Sequence, residues 1–271
     1  MRMTSNQEAR DTLTPWEKVQ LARRQDRPNA NYYIETIFDE FIELHGDRYY
    51  GDDPAILGGI ASLNGEPVTV IAHHKGRTTN ENIACNFGMA HPEGYRKSMR
   101  LMQQAEKFQR PIVCFIDTPG AFCGIGAEER GEGEAIARSL MLMSSLKTPI
   151  ISIIIGEGGS GGALAMGVAD RIYVLEHAVY AILSPEGFAS VLWKDGKRAN
   201  EAASVMKLTA KELEQFGVID GILPEAKGGV QECPKQTADA IRKMLITELK
   251  ILQKKEKTIL LEERYERFRK L

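Results

Sequence analysis

Apolar residues along the chain follow two periods. Two nearly unbroken apolar runs, "PIVCFI" and "PIISIII", are each followed by a glycine-rich turn and then a helix-like pattern. Strands this uniformly apolar belong in a sheet covered on both faces. Upstream, "AILGGIASLNGEPVTVIAHHKG" (55–76) gives two runs joined at Asn64-Gly65, a strong hairpin signal. Residues 13–24, "LTPWEKVQLARR", predict a helix with Thr14 as N-cap and Pro15 at its first position. Residues 32–46 predict a second helix: Ile34, Ile37, Phe38, Phe41, Ile42 and His45 share one face and Gly46 closes it. After a polar loop, residues 92–108 predict an amphipathic helix. "RIYVLEHAVYAILSPEG" adds two short strands, and helices follow over 188–193, 198–206 and 209–216. Residues 234–271 set heptad-like apolar positions among dense Lys and Glu, which predicts one or two long amphipathic helices packed on the core or on a partner. The fold class is α/β.

The turn after the second run is "IIIGEGGSGGALAMG", with five glycines between 156 and 162. Glycine costs backbone entropy, so such density has a structural or chemical reason. Gly156, Gly158 and Gly161 match the dinucleotide pattern G-x-G-x-x-G, and Glu176 stands at the right distance for a ribose. A parallel crossover needs roughly a dozen residues or more, however, and only nine lie between Gly161 and Arg171. No G-K-[ST] follows, which excludes a P-loop. A helix starting at Gly161–Ala163 would instead present free backbone N–H groups, and glycine lets a carbonyl or oxyanion approach them. The upstream turn "DTPGAFCGIG" leaves its strand in the same way. The residues alone leave two readings open, an oxyanion site or a pair of tight strand–helix joints.

Composition narrows the partners. The 35 basic and 37 acidic residues nearly cancel, giving a net charge of −2 and no field favouring nucleic acid or an anionic membrane. Residues 1–10 are polar and lack the apolar core of a signal peptide, and no run approaches the roughly 20 residues that cross a bilayer. Cys85, Cys114, Cys123 and Cys233 contain no C-x-x-C pair, so no metal site or disulfide framework is expected and a reduced cytoplasmic setting fits.

"IDTPGAFCGIGAEERGEGEAIAR", "GEGGSGGALAMG" and "SPEGFASVLWKD" closely resemble the carboxyltransferase α subunits of bacterial multisubunit acetyl-CoA carboxylases. "LTPWEKVQLAR", "LHGDRYYGDDPAILGGIA" and "NFGMAHPEGYRKSMRLM" match the same family in the same order, so the resemblance runs from Leu13 to about Pro234. It implies a crotonase-like spiral of repeated β-β-α units with helical N-terminal and C-terminal extensions, divided as 1–50, 51–233 and 234–271. It also implies the reaction, transfer of a carboxyl group from carboxybiotin on a biotin carboxyl carrier protein to acetyl-CoA, giving malonyl-CoA. No side-chain base is implied, because biotin itself takes the methyl proton after CO2 release. The partners implied are a carboxyltransferase β subunit in an α2β2 assembly, which carries a zinc ribbon, and biotin carboxylase. Carried onto this chain, the backbone amides of Gly161 and Gly162, with Ala163 adjacent, stabilise the biotin oxygen. Gly158 and Gly159 complete the carboxybiotin-binding turn, and Gly120 and Ala121 are the facing donors. On this reading Gly162→Val blocks the amides, abolishes transfer and leaves the fold intact. Only twelve residues precede Leu13, where longer members carry a further helical segment.

Other groups have blander readings. His73-His74-Lys75 reads as a solvated strand end, with a basic lip for CoA phosphates as the alternative. Glu128-Glu129 reads as acid at the start of the next helix rather than as an acid–base pair. Cys123 is a small loop residue or a nucleophile. Ser160 sits in "GGSGG", which resembles a G-x-S-x-G elbow and keeps a hydrolase in view. Phe188 and Trp193 read as core or interface anchors. A reading from another class remains, a non-catalytic assembly subunit whose glycines shape a joint and whose C-terminal helices recruit partners.

Overall fold

The computed structural model describes residues 13–271; the polar start, with its expectation of no signal peptide, lies outside the described residues. Thr14 opens α1 (Pro15–Ala22) through a capping box with Glu17, as the Thr-Pro spacing predicts. α2 (Ala30–Ile37) stops where Phe38 turns extended, and β1 (Glu40–Glu43) takes the rest of the segment expected to be helix. The reason is tertiary. Asp39 N–H donates to Ser62 O at 2.8 Å, and Arg242 ties down both Ile37 O and the Asp39 carboxylate. Phe41 and Ile42 then alternate across a strand, which leaves Ile42 exposed. β1 lies so close to its neighbour that a Cβ on Gly59 would come 2.1 Å from Ile42 O.

β2 (Ile56–Leu63) and β3 (Glu66–His73) form the expected hairpin, with Asn64 and Gly65 both at positive φ. The polar loop after it contains an unexpected α3 (Thr79–Ala84), capped by Thr78 and Glu81. α4 (Pro92–Lys107) leads to β4 (Ile112–Thr118), buried along its whole length. α5 (Ile125–Glu129) and α6 (Glu132–Ser145) cross over to β5 (Ile150–Gly159). From β5 the chain enters α7 (Ser160–Leu164), β6 (Arg171–Leu175) and β7 (Val179–Ala181). α8 (Pro185–Trp193), α9 (Ala199–Met206) and α10 (Ala210–Gln215) precede β8 (Gly221–Leu223). α11 (Pro234–Gln253) and α12 (Lys257–Arg269) complete the fold.

The sheet runs β1-β2-β3-β4-β5-β6-β8, antiparallel through β3 and parallel thereafter. β5 pairs with β6 through Ile151–Ile154 and with β7 through Glu157–Gly159, so on that side its second half exchanges one neighbour for another while Gly158 still faces Thr118 of β4. One continuous core extends from Ala30 to Leu260. α11 contributes Ala238, Ile241, Leu245, Leu249 and Leu252 to it, a stripe at helical spacing. α12 contributes Leu260 and Arg264, whose guanidinium is sealed inside. Arg264 donates to both Asp170 carboxylate oxygens and to the carbonyls of Met143, Leu146 and Thr148, at 2.6–3.0 Å. Among the described residues no helix is long and apolar enough to cross a membrane.

Candidate functional site

β4 and β5 are parallel neighbours, so their glycine turns emerge side by side at the same sheet edge. Carboxyl ends of parallel strands are where open α/β sheets bind ligands. The two turns touch. A Cβ on Gly162 would lie 2.6 Å from Gly120 C and 2.8 Å from Ala121 N, and one on Gly159 would lie 2.1 Å from Pro119 O. Gly158 backs onto the Tyr180 ring, 2.8 Å from where its Cβ would be. Gly161 has room, its nearest neighbour being the Ile136 side chain at 3.5 Å. Ala163 is fully buried beneath them. The two turns thus meet through Gly162, against Gly120 and Ala121, and through Gly159, against Pro119, while Gly158 and Gly161 face Tyr180 and Ile136 and Ala163 lies in the core. The Gly162 contact also corrects one expectation: Gly162→Val must displace Gly120 backbone, so that variant disturbs the fold as well as the site.

The amides divide unequally. α7 begins at Ser160, one residue earlier than expected, and is only five residues long. Its first N–H groups, Gly161 and Gly162 among them, have no carbonyl one helical turn behind. In the facing turn Gly120 N–H already donates to Thr118 Oγ1 at 3.1 Å, while the same hydroxyl donates to Gly120 O at 2.6 Å. Phe122 N–H donates to Ala90 O. Ala121 N–H, which lies against Gly162, has no hydrogen-bond partner among the described residues, nor do the N–H groups of Cys123 and Gly124 further along the turn.

Behind the turns stands an ion-pair chain that the sequence reading missed. Lys75 Nζ meets Asp117 Oδ1 at 2.7 Å and Glu157 Oε2 at 3.5 Å. Arg23 Nε meets Glu157 Oε1 at 2.7 Å, and Arg23 also holds Glu186. Burial alone would lower the Lys75 pKa, but Asp117 and Glu157 outweigh it and hold it above the ordinary lysine value. A second, sealed pair joins Arg27 to Glu225 at 2.6 Å. The strand end at His73-His74-Lys75 is thus only partly solvated: His73 is fully buried, while His74 and Lys75 are half-buried, His74 meeting Asn31 and Cys85 and Lys75 paired with Asp117. The signal for the ion-pair chain was a charged residue near the end of each of three strands, Lys75, Asp117 and Glu157, of which the sequence reading weighed Lys75 alone.

A cleft of about 610 Å³ opens beside α7, with Ser160 and Gly161 at one end and Leu164, Tyr180, Leu213 and Val218 as mainly apolar walls. Ser160 has φ 49°, as an elbow residue would, yet no His or carboxylate bonds its hydroxyl among the described residues. Cys123 is exposed in the β4–α5 loop. Glu128 and Glu129 end α5, and the acids of the next first turn are Glu132 and Glu134. Phe188 and Trp193 pack edge-to-face at 5.9 Å, with Arg198 over the indole.

The same architecture occurs in solved structures. The transcarboxylase 12S crystal structure superposes with TM-score 0.67 at 20% identity, covering 89% of this chain and 44% of that one. The β subunit of Pseudomonas aeruginosa geranyl-CoA carboxylase gives 0.64 at 13%, covering 94% and 46%. The chain spans a little under half the length of both, and the likeness is one of fold. That fold is crotonase-like. Residues 2–271 match the family described as acetyl co-enzyme A carboxylase carboxyltransferase-like. The acetyl-coenzyme A carboxylase carboxyl transferase subunit alpha of Clostridium botulinum (strain Eklund 17B / Type B) is 60% identical over 95% of this chain and 94% of its own. Its counterpart in Clostridium perfringens (strain ATCC 13124) is 59% identical over 96% of each. The chain belongs to this acetyl-CoA carboxylase carboxyltransferase family.

Proposed function

We propose that the chain is the α half of a biotin-dependent acetyl-CoA carboxyltransferase. It moves the carboxyl group of carboxybiotin, presented on a biotin carboxyl carrier protein, onto acetyl-CoA to give malonyl-CoA, the first committed step of fatty acid synthesis. In this reading it works in the cytoplasm as an α2β2 assembly with a zinc-bearing β subunit, and biotin carboxylase reloads the carrier. Relatives at about 60% identity carry the name of that subunit over nearly their whole length.

The observation that carries the reading is the contact between the two glycine turns, where a Cβ at Gly162 would strike Gly120 and Ala121. Biotin fits this place on the chemistry of its donors: a planar polar ring with apolar edges suits amides at the end of an apolar cleft. When bound, biotin supplies the carboxyl group, and its ureido oxygen gains negative charge as that group leaves. Gly161 and Gly162 donate their N–H groups to that oxygen, while Gly158 and Gly159 let the turn pack against the Tyr180 ring and the Pro119 backbone. Ala163 anchors the short helix in the core. Ala121 donates from the facing turn, with Gly120 providing the space and Thr118 fixing its peptide. Each such donor contributes about 2.7–4 kcal/mol to the transition state.

The test is malonyl-CoA-dependent carboxylation of free biocytin, the reverse half-reaction, by this chain alone and with its β partner. Activity only in the mixture is expected. Activity of the lone chain would overturn the division of labour, and inactivity of a well-folded complex would overturn the assignment in favour of an assembly subunit.

A further inference from the structure

The ladder between β4 and β5 breaks at one point. Ile116 faces Ile154, but Thr118 faces Gly158, so Asp117 alone stands opposite Ile155, Gly156 and Glu157. A bulge of this kind leaves backbone groups without ladder partners and re-aims the residues beyond it. Here side chains take those groups over. Ile155 O accepts from Arg27 Nε at 2.7 Å, and Glu157 N–H donates to Asp117 Oδ1 at 2.9 Å. The Asp117 carboxylate occupies the space over Gly156, whose Cβ would lie 2.4 Å from Oδ1. It acts as a substitute carbonyl, and the glycine turn starts at the next residue, Gly158.

A carboxylate 6% exposed needs a counter-charge. Lys75 supplies it from the end of β3, and its stem is held by Gly88, whose Cβ would lie 3.1 Å from Lys75 Cγ and 2.8 Å from Asp117 O. Lys75 does not line the cleft at Gly161. We propose that Lys75 is a positioning residue for the carboxyltransferase step: through Asp117 it fixes the β5 bulge, and so the distance between the Gly161–Gly162 amides and Ala121. The proposal rests on the function given above. Loss of the ammonium removes the cation bonded to Asp117, and the carboxylate then turns towards water. Glu157 N–H loses its acceptor, and the bulge relaxes. Misplacement by about 1 Å costs up to about 100-fold in rate, without equal loss of substrate affinity.

The experiment compares wild type, Lys75→Met and Lys75→Arg in the assembly with the β partner, using malonyl-CoA and biocytin, with thermal unfolding of each. Lys75→Met is expected to lower kcat by about 10- to 100-fold with KM for malonyl-CoA unchanged. Lys75→Arg, which keeps the charge, is expected to regain most of that loss. Should Lys75→Met not fold, the neutral pair Lys75→Met/Asp117→Asn replaces it. An amide oxygen then holds the Glu157 N–H more weakly, and kcat falls about tenfold at constant KM. Wild-type kcat in the variant measured, a KM change matching the kcat change, or no recovery in Lys75→Arg would overturn the positioning role. Inactive wild type in a folded complex would instead overturn the function itself.

Discussion

Glu132 and His73 are both buried with no hydrogen-bond partner for their titrating atoms, and they tilt stability in opposite directions. Burial, reinforced by Asp53, Glu128 and Glu93, pushes the Glu132 carboxyl up to about 8. Burial, reinforced by Lys75, pushes His73 down to about 3. A raised carboxyl keeps its proton in the folded state, so its contribution is complete below the unfolded value near 4.5 and is lost as pH rises towards 8. A depressed histidine does the reverse, costing stability as pH falls from 6.5 towards 3. The two oppose each other between those unfolded values, and above 6.5 only Glu132 still acts. Thermal unfolding at pH 6.5 and 8.5 checks this: Glu132→Gln gains a few degrees over wild type at the higher pH and less at the lower. The glycines allow a second comparison. Gly161→Ala meets only ordinary contact and changes stability by less than about 1 kcal/mol. Gly162→Ala pushes on the backbone of the facing turn, costs about 1–3 kcal/mol by overpacking, and lowers transfer about 100- to 1,000-fold. Melting curves and the biocytin assay separate the two. Sequence could mark both glycines as dense and unusual. It could not distinguish them, because the difference lies in Gly120, more than forty residues away along the chain and beside Gly162 in space.

Local signals carried most elements and failed where a neighbour decided the matter. The Thr14-Pro15 start, the Asn64-Gly65 turn and the α11 stripe are written in adjacent residues, and each was legible. α3 carries an equally local Thr78-x-x-Glu81 capping box inside a stretch that reads as polar loop. β1 was illegible for a physical reason: its apolar residues suit helix and strand alike over so short a run, and pairing to Gly59–Ser62 breaks the tie. α12 shows the same dependence on distant partners. Its pattern predicts a helix, yet its hold on the fold lies in distant partners: the buried guanidinium of Arg264 on Asp170, Arg267 on Asp220, and Leu260 in the core. Arg264→Met leaves Asp170 charged and unpaired and three carbonyls without donors. The expected cost is about 3–5 kcal/mol, seen as a lower urea midpoint at unchanged slope.

The molecule has one large core that incorporates its C-terminal extension. Removing residues 234–271 strips Ile241, Leu245, Leu249, Leu252 and Leu260 from it. At about 1.5–3 kcal/mol for each such side chain, the loss matches the whole stability of a typical domain, about 5–15 kcal/mol. The truncated chain is expected to show no cooperative melting by circular dichroism. A truncation that abolishes assembly with a partner would therefore report the collapse of this core, and partner recruitment by these helices needs surface substitutions instead. The Arg264–Asp170 pair also sets a timetable. Its members are 94 residues apart, and Asp170 is synthesised first. At about 5–20 residues per second, a nascent chain waits roughly 5–19 s with that acid unmatched at the foot of β5, where its Oδ2 also accepts the Ile150 N–H. The arginine that neutralises it follows 94 residues later, so this part of the fold closes only once α12 has been made.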